Sequence, residues 1–197
     1  MSSSLFGAGI ALLVIDVQND FADPAGALAV QGGDEVVRRV NHLVGEARAA
    51  RSPVFYTQDW HPADTAHFDK HGGEWPVHCV AGTWGAELHP DLLVAGPSVH
   101  KGINDGEDGY SGFSVRDPAS GSAGSTGLAE QLRSDGVEQV VIAGLATDYC
   151  VKATALDAVD LGLGAIVVRD AVAAVDLEAG DGDRALDELA AAGVVLA

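Results

Sequence analysis

Short apolar runs rich in β-branched residues alternate with longer stretches of helical periodicity along the chain. No other feature restricts the fold as much. Residues 10–16 (IALLVID) are apolar at almost every position, the pattern of a strand covered on both faces. Residues 32–51 follow with Val36, Val37, Val40, Leu43, Val44 and Ala47 at helical spacing, and Asp34 and Glu35 near the start, where acidic groups suit the helix dipole. Further strands are expected over 53–58, 98–101, 139–144, 164–169 and 194–196, and further helices over 127–135, 149–161 and 183–192. This alternation predicts an α/β fold of three layers, with a mostly parallel six-stranded sheet between helices. No repeat or linker divides the 197 residues, so one domain over 1–197 is expected. Two stretches lack periodicity, 60–96 and 102–126; loops of that length usually carry function or move. The second contains the Ser/Gly-rich run ASGSAGSTG, whose composition predicts a mobile tip.

Charge narrows the partners. With 11 basic against 29 acidic residues the formal charge is −18, a surface that repels phosphate backbones and anionic lipid. Nucleic acid and membranes are therefore not expected as partners. No apolar run reaches the ~18–20 residues of a membrane span, and the start of the chain lacks the basic segment of a signal peptide. Two cysteines, Cys79 and Cys150, make no disulfide framework and fit a reducing, cytoplasmic setting.

In open parallel sheets, ligands bind beyond the carboxyl ends of the strands. Asp16, Asp59, Lys101 and Cys150 all fall at or just after such ends. The commonest fate of a lone cysteine is burial as a small hydrophobe. Here Thr147 and Asp148 are good N-cap types and would put Cys150 in the first turn of its helix. A helix N-terminus and a nearby ammonium, which Lys101 could supply, both favour thiolate. The same helix start offers backbone N–H groups to an oxyanion. Asp16 reads either as a solvated strand end or as a general base that takes the thiol proton and returns it to a departing amine. Asn19 and Asp20 beside it are expected to fix the loop.

Residues 58–79 (QDWHPADTAHFDKHGGEWPVHC) hold four histidines and three aspartates in 22 residues, a density that points to a metal site. Asp59 and His61, on the emerging strand, are the leading ligands; His67, His71 and His78 compete for the remaining places. His42, His89 and His100 lack such a setting and are expected to be structural.

These motifs match a known family. ALLVIDVQNDF, GALAVQGGDEVV, QDWHP, WPVHCVAGTWGAELHP, HKG, YSGF and GLATDYCVKATALDA, spread almost end to end, resemble the nicotinamidases (pyrazinamidases) of the isochorismatase-like cysteine hydrolases. The resemblance implies Asp16 as base, Lys101 as its charge partner and Cys150 as nucleophile. It implies an oxyanion hole from the N–H groups of Ala146 and Cys150, after a cis peptide between Leu145 and Ala146. It also implies one divalent metal (zinc, iron or manganese) on Asp59, His61, His67 and His78, leaving His71 outside. Phe21 and Trp75 match the aromatics that sandwich the pyridine ring, and Tyr110 lies in the matching YSGF; Tyr149 stands where other members vary. The implied reaction is hydrolysis of nicotinamide to nicotinate and ammonia through a thioester, as in NAD salvage, with pyrazinamide a further substrate. The partner expected is a small aromatic amide, and a homo-oligomer is possible. The alternatives are an N-carbamoyl amidohydrolase, an isochorismatase-type hydrolase, and a non-catalytic metal- or ligand-binding domain.

Overall fold

A computed structural model describes residues 5–197. Six strands form one sheet: β1 (Ile10–Ile15), β2 (Val54–Asp59), β3 (Ser98–Lys101), β6 (Gln139–Leu145), β7 (Gly164–Ala173) and β8 (Val195–Leu196). Their order is β3-β2-β1-β6-β7-β8, and each pairing is parallel. The chain runs outward from β1 in one direction through β2 and β3, then returns to the other side of β1 as β6. The switch point lies between β1 and β6, where an open parallel sheet leaves a crevice at its carboxyl edge.

Residues 11–15 of β1 are wholly buried, and their alternation splits the core in two. Leu12 and Val14 pack with Val36, Val40 and Val44 of α2 (Gly33–Ala50). On the opposite face, Leu13 and Ile15 pack with Leu128 and Leu132 of α3 (Leu128–Ser134), Ala155 of α4 (Lys152–Asp160) and Leu189 of α5 (Asp181–Ala191). The expected three layers are present, and each fully buried leucine contributes roughly 1.5–3 kcal/mol.

Several boundaries differ from expectation. β7 runs to Ala173 rather than stopping near 169, because it pairs again with β6 beyond an irregularity at Ile142/Gly144. A short helix, α1 (Asn19–Ala22), forms directly after the first strand; four residues are too few to show periodicity. The Ser/Gly-rich run is not simply an irregular tip. Ala123–Ser125 (β5) pairs antiparallel with Ser114–Arg116 (β4), and the Asp117 carboxylate accepts the N–H groups of Ala119 and Ser120 to close the turn. Among the described residues no helix is long and apolar enough to cross a membrane.

Candidate active site

The ends of β1, β2 and β3 and the turn after β6 bring Asp16, Asp59, Lys101 and Cys150 together. Asp59 and Lys101 sit opposite each other in register. Lys101 is fully buried, and its Nζ lies 2.8 Å from Asp16 Oδ2 and 3.4 Å from Cys150 Sγ. It also donates to Asp59 Oδ1 and to the Gly109 carbonyl. One oxygen from each carboxylate and the Cys150 sulfur all lie within 4.8 Å of one another. Asp16 adopts a left-handed backbone (φ 47), uncommon for a non-glycine residue, as the chain turns sharply out of β1. Thr57 on the neighbouring strand holds it there: its hydroxyl donates to Asp16 Oδ1 at 2.6 Å and accepts the Asp16 N–H at 3.2 Å.

The electrostatics revise the expectation of a ready-made thiolate. Burial pushes the Cys150 thiol well above its ordinary range, and the Lys101 ammonium does not offset it, because Asp16 and Asp59 crowd the same sulfur. The thiol therefore rests protonated and needs a base. Burial raises Asp16 to about 6 against the opposing pull of Lys101, which leaves it ionised yet a competent proton acceptor near neutrality. Asp59 is also buried, but Lys101 holds its carboxyl below the usual carboxylate range. Burial would lower Lys101, yet the two carboxylates keep it firmly protonated. If Asp16 is the base, kcat/KM falls in acid with a midpoint no higher than about 6. Replacing Thr57 with valine removes a hydrogen bond that favours the carboxylate and moves that limb upward by about half a pH unit. A pH–rate profile unchanged by Thr57→Val would contradict the assignment.

The helix start was expected to be capped by Thr147 or Asp148, and it is not. Ala146 occupies the N-cap position, Thr147–Val151 forms a wide turn leading into α4, and the Ala146 carbonyl accepts the N–H groups of Tyr149 and Val151. The Asp148 carboxylate turns away to accept Val175 N–H and Asp176 N–H at 3.0 and 2.9 Å. Cys150 still sits in the first turn, and the Leu145–Ala146 peptide is cis.

Beside this cluster stand three imidazoles. Nitrogens of His61, His67 and His78 lie within 4.8 Å of one another. Asp59 Oδ2 is 3.7 Å from His61 Nε2 and 3.9 Å from His78 Nε2. Two donors each about 2.1 Å from one ion stand at most about 4.2 Å apart, so the 3.7 and 3.9 Å separations from Asp59 suit a shared centre. His61 faces the Gly102 carbonyl through Nδ1 at 3.2 Å, and His78 faces the Pro76 carbonyl at 2.7 Å; donation there leaves each Nε2 lone pair aimed at the cluster. Among the described residues His61 Nε2, which is buried, has no hydrogen-bond partner, and a bound cation would account for it. Burial lowers His67 to about 4, helped by its imidazole neighbours, and lowers His78 as well, so both rings are neutral, as metal ligation requires. The set fits a divalent metal. Gly102 is required at its place: its backbone is left-handed (φ 65), and a Cβ would lie 2.5 Å from His61 Cε1. His71 lies outside, on an exposed turn with Nε2 3.8 Å from Asp64.

A pocket opens over Cys150 and Ala146, with His67, His78, Phe21, Trp75 and Tyr110 among its walls. Trp75 Nε1 donates to the Tyr110 hydroxyl at 2.9 Å. Tyr149, to which the sequence attached no role, packs edge-on against Trp75 and also lines the pocket. Asp20 fixes the entry loop as expected, accepting Ala27 N–H at 2.9 Å and Cys79 N–H at 2.7 Å, while Asn19 donates to the Trp84 carbonyl. Thr57 and the Gly109 carbonyl were not foreseen; neither residue type signals a role without its neighbours in space. The arrangement offers a thiol, a buried carboxylate beside it, a cation between them, and an apolar slot for a flat ring.

Comparison with known proteins agrees with this chemistry. Residues 10–197 match the model of the isochorismatase domain family. The chain is 38% identical to the nicotinamidase of Escherichia coli, the alignment covering 94% of this chain and 93% of that protein. Among solved structures, the L. infantum PnC1 protein in complex with nicotinate superposes with a TM-score of 0.87 at 36% identity, over 96% of this chain and 92% of that one. The Pyrococcus horikoshii pyrazinamidase in complex with zinc gives 0.85 at 38% identity, over 96% and 98%.

Proposed function

The chain belongs to the isochorismatase family, and from that premise we propose that it is a metal-dependent cysteine amidohydrolase converting nicotinamide to nicotinate and ammonia. The observation that carries this reading is Lys101 Nζ standing 2.8 Å from Asp16 and 3.4 Å from Cys150 beneath an aromatic-walled pocket. The similarity to nicotinamidases supports the choice of amide. An N-carbamoyl amidohydrolase would need the acid–amine–thiol set but not the Asp59/His61/His67/His78 cluster. An isochorismatase-type reaction would need no thiol nucleophile.

In the proposed mechanism the ring lies between Phe21 and Trp75, with Tyr110 completing the wall, and the carboxamide carbon faces Cys150 Sγ. Asp16 takes the thiol proton as sulfur attacks, and the N–H groups of Ala146 and Cys150 receive the developing oxyanion. Asp16 returns the proton to the departing ammonia. It then deprotonates the water that cleaves the thioester, releasing nicotinate and restoring the thiol. Lys101 keeps two buried carboxylates tolerable side by side. A divalent ion on Asp59, His61, His67 and His78 would supply an electrophilic anchor for the substrate's ring nitrogen, orienting rather than activating; zinc, iron and manganese all suit this donor set.

Ammonia release from nicotinamide tests the reading. Chelation is expected to lower the rate by at least tenfold and metal to restore it; pyrazinamide, with the same carboxamide on a six-membered ring, is expected to react too. Full activity after verified metal removal would favour a metal-free amidohydrolase.

A further inference from the structure

The turn that carries Asp16 also carries Gln18, a fully buried side chain to which the mechanism assigns nothing. Its Oε1 accepts Asp59 N–H at 2.8 Å, and its Nε2 donates to the Asp59 carbonyl at 2.8 Å and to the Ala86 carbonyl at 2.9 Å. The reason lies in the sheet. β1 pairs with β2 only as far as Val14 opposite Tyr56, after which the chain swings out of the sheet at Asp16. Asp59 therefore emerges from β2 with its β1-side N–H and C=O lacking a strand partner, and buried backbone groups need one. The Gln18 amide supplies both halves of the missing rung.

We infer that Gln18 is a positioning residue that sets the affinity of the metal cluster by gripping the Asp59 backbone in place of a strand. The inference rests on the proposed metal site. Asp59 is the one residue shared by both halves of the site, with Oδ1 on Lys101 and Oδ2 toward His61 and His78. A shift of its backbone therefore moves a ligand directly. Among the described residues, no side chain other than Gln18 holds that stretch of backbone by both its donor and its acceptor. Outer contacts of this kind typically change metal affinity 10- to 100-fold.

The test is zinc affinity, measured by chelator competition on the full chain, for wild type, Gln18→Met and Gln58→Met. Methionine keeps the volume and removes the amide. Gln58 is the control, because its Nε2 donates to the same Ala86 carbonyl at 2.9 Å while its side chain leaves the Asp59 backbone alone. Both variants are expected to unfold at lower temperature, since both leave buried groups unpaired. Only Gln18→Met is expected to bind zinc 10- to 100-fold more weakly, with Gln58→Met within about threefold of wild type. Equal affinity for wild type and Gln18→Met, or equal weakening in both variants, would overturn the inference. Absence of zinc binding by the wild type would instead remove the metal assignment, and this inference with it. Should Gln18→Met not fold, Gln18→Asn keeps an amide one methylene too short to span the rung; wild-type zinc affinity in that variant overturns the proposal.

Discussion

Replacing Cys150 with alanine lowers ammonia release from nicotinamide to the background rate, a loss on the order of 10⁴- to 10⁶-fold. The loss is that large because, among the described residues, sulfur is the only nucleophile placed beneath the pocket. With it gone, Asp16 and Lys101 have nothing to activate at the amide carbon. The variant keeps its fold, because Cys150 is a small side chain at the pocket floor and alanine leaves only a slight void. It also keeps its metal, because none of the four proposed ligands is touched. A metal-loaded, folded Cys150→Ala protein with substantial turnover would show that a water, not the thiol, attacks the substrate.

Lys101→Met carries the second large effect, on both activity and stability. Asp16 and Asp59 are both almost wholly shielded from solvent, and Lys101 is the cation between them. Removing one member of a buried ionic set costs about 3–5 kcal/mol, since the charges left behind have lost their partner. For a chain of this length that lowers the melting temperature by roughly 10 °C. The pH dependence distinguishes this cause from lost packing. Without the ammonium, burial and mutual repulsion raise both carboxyls, so the folded variant binds protons that the unfolded chain has released. Its deficit against wild type is therefore large at pH 8 and shrinks as the pH falls toward 5. Catalysis falls by on the order of 10³-fold, because the charge that balances the reacting groups is gone. A deficit of equal size at both pH values would mean that Lys101 acts mainly as packing.

Strand and helix order was readable because β1, α2 and β6 announce themselves through apolar periodicity, which depends on neighbours a few residues apart. The carboxyl-end positions of Asp16, Asp59, Lys101 and Cys150 followed from that order and a general rule of parallel sheets. Short pieces were not readable: α1 is barely one turn, and the β4–β5 hairpin lies in sequence that looks like an irregular loop. Among the histidines, spacing left His67, His71 and His78 equivalent. The structure parts them, turning His67 and His78 inward while His71 faces solvent.

Charge and hydrogen bonding at the site were the parts that local sequence could not carry. A helix start beside a lysine suggested a thiolate, yet Cys150 is raised, because desolvation and two carboxylates outweigh one ammonium. Asp148 looked like a cap and instead grips the backbone near Val175, and the role of Gln18 had no signal in the sequence. Layer order and the residue types at the sheet's carboxyl edge were written in the chain, since both follow from side-chain pattern along a single strand or helix. The tertiary structure alone decided protonation, ligand choice and which backbone groups lacked partners, because those depend on the distances and burial that arise only when separate strands are brought side by side.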